Sequence, residues 1–440
     1  MAEKQQKLDA LKRLSLLFDD GTYELLDGSA DAGARIAHGT VYGTTVFAYA
    51  EGGCGAFSTA TAEKLSKVYS LAEKTGSPVV AIYDSKGVDL NGGGLTLDAC
   101  AQLLSRCSRV SGVVPQIAVV AGTCGGFESV CASLADVCLM ESNAEFFLTA
   151  PFNDTSDSEA SKIAGTAEYA KKASAAAVIC DGEEALFAKT RQVVGILPSN
   201  NLEVPPFCDF AEPETNPADD AVLGTVDAGS EIELFSGKGR SSRTYLATLM
   251  GSLVGVVNIN GRVCRNDTLK IARLVQFCDA FSLPVVTFLN SDGFVVSADN
   301  DMNGGIRNAA LLSHVITQAT NVKVAVVTGN AVGSLFSVLC GRYAAADLCF
   351  AWNNAVIGEI EPKAAVSVMW NDRIEKDSDI ERLAVQYAAE EMSAEKALKD
   401  GIVDKVITPE TTRSAVAASL DMLASKRVSN ISRKHGNMPY

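Results

Sequence analysis

Histidine is scarce: His38, His314 and His435 are the only three in 440 residues. His314 falls in a helical run from Asn308 to Thr320 and His435 in a tail, so a Ser–His–Asp triad is poorly supplied. The twelve cysteines include no Cys-x-x-Cys spacing, which argues against a zinc ribbon or a thioredoxin-type redox pair. Cys124, Cys131 and Cys138 are spaced by seven, but the latter two fall on an apolar helix and the strand after it, where a free thiol packs as a small hydrophobe; no metal is expected. Positive charge is also short. A net charge of −15 disfavours nucleic acid and anionic membranes as partners, while leaving room for an anionic ligand held by a few local cations and helix N-termini. The apolar runs near Val113–Ala121 and Val322–Thr328 are strand-length, and the opening MAEKQQKLDALKRL is charged and helix-like with no apolar leader core. A reduced, cytoplasmic protein is the expectation.

What the chain does have is length and a repeat. Two domains are expected from 440 residues, and the sequence is one unit written twice. FDDGTYELL from Phe18 returns as VDAGSEIELF from Val226, and a strand pair follows each, GTVYGTTVFAYA and ATLMGSLVGVVN. Then come amphipathic helices over Ala62–Thr75 and Leu269–Phe281. Proline-introduced strands lead from Pro78 to Ser85 and from Pro284 to Ser291, both pairs 206 residues apart. Polar loops GVDLNGGG and GFVVSADN come next, and second helices over Leu95–Val110 and Ile306–Thr320. An apolar strand and a glycine turn complete the pattern, with Gly126 answering to Gly333. Ala135–Leu139 is echoed by Ala346–Phe350, at an offset that places about four extra residues in the second copy.

Residues 1–198 and 221–440 are therefore read as two domains, with the proline-rich 199–220 as linker. A helix over Glu381–Lys399, a short strand at Val403–Val406 and a helix over Thr411–Arg427 are expected to follow the second copy. Repeating ββα units with apolar strands predict an α/β fold of stacked, partly parallel sheets.

The organising stretch is Val324–Leu339, VAVVTGNAVGSLFSVL: an apolar strand, a small-residue turn over Thr328–Ala331, and a helix opening at Gly333-Ser334. Such a junction leaves main-chain N–H groups free at the positive end of a helix, which suits an oxyanion. One βα turn with glycine identifies nothing, since every α/β protein has them; two at matching places carry information. Two oxyanion sites without a side-chain base suit a reaction whose hard step is charge on a carbonyl oxygen, such as a thioester enolate. The second hole would hold another carbonyl.

Several segments stand out: LPSNNLEVPP from Leu197, CDAFSLPVVTF from Cys278, Ala351-Trp352 after Asp347, and RKHGNMPY from Arg433, with weaker YDSKG at Tyr83 and FFLTAP at Phe146. With these the chain resembles the carboxyltransferase subunits of biotin-dependent acyl-CoA carboxylases and decarboxylases, the propionyl-CoA carboxylase β, methylmalonyl-CoA decarboxylase α and glutaconyl-CoA decarboxylase types. The resemblance implies tandem crotonase-like ββα superhelical domains, the first for acyl-CoA and the second for biotin on a separate carrier. It implies a homo-oligomer, usually a hexamer with its site between domains of two subunits. A biotin carrier protein and a biotin carboxylase or membrane decarboxylase subunit would be the partners. No Met-Lys-Met biotinylation motif is present, so the biotin would arrive on another chain or subunit.

Carried over, Gly126 and Phe127 offer N–H groups to the thioester carbonyl, or Gly125 and Gly126 do under a one-residue shift. Gly333, Ser334 and Leu335 offer theirs to the ureido carbonyl of biotin. Ser85 and Gly87, with Asp292, Gly293 and Phe294 in the matching loop, are the cofactor-binding candidates. Carboxyl would pass between carboxybiotin and the acyl α-carbon.

The chain departs from the family at these places. Paired glycines are usual where it has Gly126-Phe127 and Gly333-Ser334, and Phe127 puts a ring where CoA is expected to approach. The loop after Ser291 carries Asp292 and Val295-Val296-Ser297 in place of a proline and glycine pattern, and the glycine-rich segment after LTAP is shortened near Asn153–Lys162. Two other readings stand beside the carboxyltransferase. One is a non-catalytic scaffold subunit pairing with an active paralogue. The other is a biotin-independent crotonase-type enzyme using Glu128, Glu359 or Glu361 as acid or base.

Overall fold

Each repeat begins with a tight hairpin whose tip is tied down by an aspartate. In the computed structural model, which describes residues 8–28, 33–53 and 55–439, strands β2 (Ala34–Val41) and β3 (Thr44–Glu51) pair antiparallel through Tyr42-Gly43. Both turn residues have positive φ, 48° and 79°, the two-residue turn that matches strand twist and is costly for a tyrosine. Asp19 offsets that cost by accepting from Tyr42 N and Gly43 N at 3.1 Å each, and Arg191 Nη2 donates to the same carboxylate at 2.8 Å. Burial alone would raise the Asp19 pKa, but donors from Gly43, Arg191, Thr40 and Tyr42 outweigh it and push the pKa down to about 2.

The first unit's sheet runs β1 (Glu24–Leu25), β2, β3, β4 (Val79–Tyr83), β5 (Gln116–Val120), β7 (Val137–Glu141), β9 (Val178–Cys180), antiparallel to β3 and parallel from there on. A small parallel pair, β6 (Thr123–Gly125) with β8 (Glu145–Phe147), stands off it. The helices are α1 (Ala10–Leu17), α2 (Thr59–Thr75), α3 (Gly94–Arg109), α4 (Phe127–Leu134), the short α5 (Glu159–Ile163) and α6 (Ala167–Ala173), and α7 (Glu183–Ile196). Helix α2 starts on a capping box from Ser58 and stops at Gly76 in the left-handed region. Its apolar face, Leu65, Val68 and Ala72, packs with Leu103 and Cys107 of α3 over Val79, Ala81 and Ala118 of the sheet. Of the N-terminal helix-like stretch, Met1–Lys7 lies outside the described residues, as does Tyr440 of the terminal motif.

The second unit repeats the plan. Its sheet runs β10 (Ile232–Leu234), β11 (Ser242–Leu249), β12 (Ser252–Asn260), β13 (Val285–Ser291), β14 (Lys323–Val332), β15 (Leu348–Trp352), β17 (Lys405–Ile407), with β16 (Val356–Gly358) on the far half of β14. The helices are α8 (Arg265–Ala280), α9 (Ala298–Met302), α10 (Gly305–Gln318), α11 (Ser334–Leu339), α12 (Pro362–Met369), α13 (Asp379–Glu391), α14 (Ala394–Lys399) and α15 (Thr412–Leu423). Asp227 caps the Met250-Gly251 hairpin tip at 2.8 and 2.9 Å, and Arg413 pairs with it at 2.8 Å. Arg413 also donates to Thr225 O, as Arg191 does to Leu17 O.

Three sequence expectations shift. Thr328–Ala331 is not a turn: β14 continues to Val332 by leaving β15 at Val327 and taking β16 as partner from Asn330. The helix expected over Glu381–Lys399 is two helices, broken where Ser393 caps α14. The chain divides into two compact units between Pro206 and Phe207, within the segment read as linker, with Phe235–Gly237 grouped with the first. That segment is fastened: Asn200 Nδ2 donates to Gly76 O and Asn201 N to Val113 O in the first unit, and Cys208 N to Gly251 O in the second. The additional residues of the second copy lie in the turn after α11, Gly341–Ala346.

Asp227 and Arg413 are buried, whereas Asp19 and Arg191 keep 25% and 20% of their side chains exposed. Removing one partner of a buried pair leaves the other uncompensated, at about 3–5 kcal/mol, while a partly solvated pair is worth about 1 kcal/mol. Asp227→Ala is therefore expected to destabilise the protein clearly more than Asp19→Ala in urea unfolding; equal losses would show that the hairpin cap, common to both, dominates.

Candidate active site

Both glycine junctions are built alike. Gly126, with φ 61° and ψ −124°, gives its own N–H to Phe147 O at 3.0 Å, and Gly333, with φ 74° and ψ −161°, gives its N–H to Gly358 O at 2.9 Å. The expectation that these two glycines supply oxyanion donors is thereby corrected: their amides are spent on the strands beside them. The first amides of α4 and α11, those of Phe127 and Glu128 and of Ser334 and Leu335, have no acceptor within their helices. Gly126 still matters, because a Cβ there would meet open space while its backbone sits where side chains are strained. Gly125, the alternative donor, is a packing position: a Cβ on it would fall 2.4 Å from the Phe147 ring.

The Phe127 ring does not stand free. It is half-buried against the core of the first unit, its centroid 5.4 Å from that of Phe57. Ser334, at the equivalent place, is exposed, and Leu335 is buried.

The loops after β4 and β13 share their main-chain donors, although the Ser291 hydroxyl itself donates to Gly293 O at 3.1 Å. Gly87 N donates to Ser85 Oγ and Gly293 N to Ser291 Oγ, each at 3.1 Å. Phe57 N donates to Gly87 O at 2.8 Å and Val263 N to Gly293 O at 3.0 Å. Ser85, named as a cofactor-binding candidate, thus spends its hydroxyl inside the protein. Asp292 and Phe294 present carbonyls to Arg262 Nη1 at 3.0 and 3.2 Å, and Arg262 also pairs with Glu361. Sequence reading missed Arg262; the pairing fastens the loop 292–294 and occupies Glu361, one of the alternative acid/base residues. Glu359 is exposed.

The residues that differ most between the halves surround Glu128. Its carboxyl is buried, and Oε2 accepts a hydrogen bond from Ser85 Oγ. Beside it, Glu51 accepts from Tyr49 Oη at 2.6 Å and from Asp84 N at 2.8 Å. Arg13 pairs with Asp84 at 2.9 Å and Glu183 at 2.8 Å, and donates to Glu51 O at 2.7 Å. Burial first, then the charge of Glu51, pushes the Glu128 pKa up to about 10. The N-terminus of α4 favours an anion by about 0.3–1 kcal/mol, less than one pKa unit, so the helix dipole cannot reverse this. Burial raises Glu51 as well, against the hydrogen bonds it receives from Tyr49 and Asp84. None of Arg13, Glu51 or Glu183 was legible as a site residue. The one signal was a carboxylate closing an apolar strand, as in FAYAE and VVAIYD.

Among the described residues no group of three His, Cys, Asp or Glu could hold a metal ion; Cys124, Cys131 and Cys138 are buried. In the second unit a cavity of about 210 Å³ opens at the carboxyl ends of β12, β13, β14 and β15, lined by Asn258, Asn260, Asn290, Thr328 and Trp352 with residues 217–221. Gly333, Ser334 and Leu335 do not line it.

Residues 10–438 match the family described as the carboxyl transferase domain. The methylmalonyl-CoA decarboxylase subunit alpha of Veillonella parvula is 30% identical over 99% of this chain and 94% of its own. The propionyl-CoA carboxylase carboxyltransferase subunit of Haloferax mediterranei is 30% identical over 98% and 93%. Among solved structures, the transcarboxylase 12S hexamer core with methylmalonyl-CoA and methylmalonic acid bound superimposes with a TM-score of 0.92 at 26% identity, covering 99% of this chain and 93% of that one. A single-chain, multi-domain long-chain acyl-CoA carboxylase, at 18% identity and a TM-score of 0.80, shares the fold. No helix among the described residues is long and apolar enough to cross a membrane.

Folded protein keeps a proton on Glu128 that the unfolded chain releases above its ordinary carboxyl range. Stability carried by that carboxyl is therefore full below about pH 4.5 and is lost as pH rises toward about 10. The groups facing it are Glu51 and Tyr49 of β3, Asp84 and Ser85 after β4, Cys100 of α3 and Cys124 of β6, with Arg13 behind Asp84. Glu128→Gln should gain on wild type as pH rises across that window, by up to about 1.4 kcal/mol per pH unit in urea titrations. A gap independent of pH would mean that Glu128 is ionised in the fold.

Proposed function

The chain belongs to the carboxyl transferase family, and from that premise we propose that it moves a carboxyl group between biotin on a separate carrier and the α-carbon of an acyl-CoA. The observation that carries this reading is the pair of matched junctions, in which a strand-bound glycine leaves the next amides of a helix unspent. In the first unit the amides of Phe127 and Glu128 would take the thioester carbonyl. As the α-carbon gains or loses carboxyl, charge gathers on that oxygen, and each such donor is worth about 3 kcal/mol of barrier. In the second unit the amides of Ser334 and Leu335 would polarise the ureido carbonyl of biotin. Biotin supplies the nitrogen that accepts or releases the carboxyl group, which removes the need for a histidine base. The protein's part is to orient two carbonyls and to stabilise the oxyanions.

Methylmalonyl-CoA is the first substrate to try, since the transcarboxylase 12S core was solved with it and the two relatives are named for methylmalonyl-CoA and propionyl-CoA. A homo-oligomer, hexameric as in that core, a biotin carrier protein, and a biotin carboxylase or membrane decarboxylase subunit are the partners this role requires. The geometry does not favour the two other readings. The altered glycine pairs leave both helix starts intact, and Glu128, at 1% exposure, lies too deep to serve as a base in contact with substrate.

Incubating the pure protein with free biotin and malonyl-, methylmalonyl- or glutaconyl-CoA should give biotin-dependent loss of the carboxyl group. Turnover without biotin, or none with any of the three despite CoA binding, would overturn the assignment. Gly126→Ala and Gly333→Ala, each forcing a side chain into glycine-only backbone, should lower kcat/KM at least tenfold.

A further inference from the structure

The duplicated chain is its own control. Position by position, Ser85 corresponds to Ser291, Gly87 to Gly293 and Gly126 to Gly333, and each pair makes the same main-chain contacts. At the same offsets Asp84 corresponds to Asn290 and Glu128 to Leu335, and the register of β3 on β4 and of β12 on β13 makes Glu51 correspond to Ile259. Asp84 Oδ1 accepts from Thr123 N at 3.1 Å, and Asn290 Oδ1 accepts from Asn330 N at 2.9 Å, so the neutral residue does the same structural work. The second half folds with no carboxyl at either Glu position. Burying two carboxyls side by side costs several kcal/mol unless a proton is shared and the remaining oxygens are satisfied. The first half bears that cost, and the fold gives no reason for it.

The contacts show what the carboxyl does there. Ser85 Oγ already receives Gly87 N–H, so its own hydrogen goes to Glu128 Oε2. Glu128 sits in the first turn of α4, one residue after Phe127. Among the described residues no donor is aimed at its fully buried Oε1, which suits an oxygen that bears the hydrogen itself and poorly suits a carboxylate. Glu51 lies next to it.

We propose that Glu128 is a positioning residue for the first oxyanion turn: a neutral carboxyl that clamps the loop after β4 to the start of α4 through Ser85 Oγ. Neutrality is part of the role. An ionised carboxyl in the first turn of α4 would set a negative charge beside the amides of Phe127 and Glu128 and weaken their hold on a developing oxyanion. At the matching place the second half has a leucine, Leu335. This inference rests on the carboxyltransferase reading, in which the first hole takes the thioester.

Infrared spectroscopy of the full-length protein separates the two. At neutral pH, wild type should show the C=O stretch of a buried protonated carboxyl, and Glu128→Gln should lack it. This readout needs no turnover, so it stands even where the carboxyl-loss assay fails. The double variant Glu51→Ile/Glu128→Leu copies the second half and avoids an unpaired buried charge. It should fold, with circular dichroism and oligomeric state as wild type. With bound propionyl-CoA as probe, it should lose the downshift of the thioester C=O stretch that wild type shows. Its kcat should fall at least tenfold with KM held within about threefold, and Glu128→Gln, keeping shape and a donor, should recover most of that loss. No protonated-carboxyl band in wild type, or a folded double variant with wild-type kcat and thioester stretch, would overturn the proposal.

Discussion

One backbone hydrogen bond, made twice, organises this protein: the N–H of a positive-φ glycine given to a strand carbonyl, Gly126 to Phe147 and Gly333 to Gly358. It fixes the direction in which the chain leaves the sheet. With that donor spent, the helix must begin at the next residue, and its first amides are left without acceptors. A side chain at either glycine would strain the bond's geometry. The strand partners β8 and β16 exist to supply those carbonyls, which is why each unit carries a few residues of pairing that the main sheet does not need for its core.

Around that bond the two units spend electrostatics differently. Both pin their first hairpin with an aspartate backed by an arginine from a late helix, so the ends of each unit are tied together. In the first unit acidic groups then continue inward through Asp84, Glu51 and Glu128, while in the second the same places hold Asn290, Ile259 and Leu335.

The sequence placed most of the architecture because strands and helices in this fold are written in strong local patterns. The proline-introduced strands at Val79 and Val285 appear where expected, and α2 and α8 begin a turn earlier than their apolar periodicity suggested, because the groups that close their first turns, Ser58 and the Asp267 carboxylate that accepts from Cys264 N, lie outside the apolar pattern. The errors have one source. Thr328–Ala331 looked like a turn because it is small and polar, yet it is strand because β16, 26 residues later in register at Asn330 and Val356, supplies hydrogen bonds that no local pattern announces. Gly126 and Gly333 were rightly singled out as junctions but wrongly read as donors, since where a glycine's N–H points is set by its partner strand.

By itself, then, the chain's sequence determined the repeat, its two glycine junctions and the family, since these are properties of residue identity and spacing. Tertiary structure decided which amides stay unspent, that Phe127 packs on Phe57, that Ser85 faces inward, and that Glu51 and Glu128 are buried side by side. Those depend on groups distant in sequence meeting where water is excluded. There a hydrogen bond or a charge is worth several times its solution value, and a single misplaced partner changes which atom is left free to react.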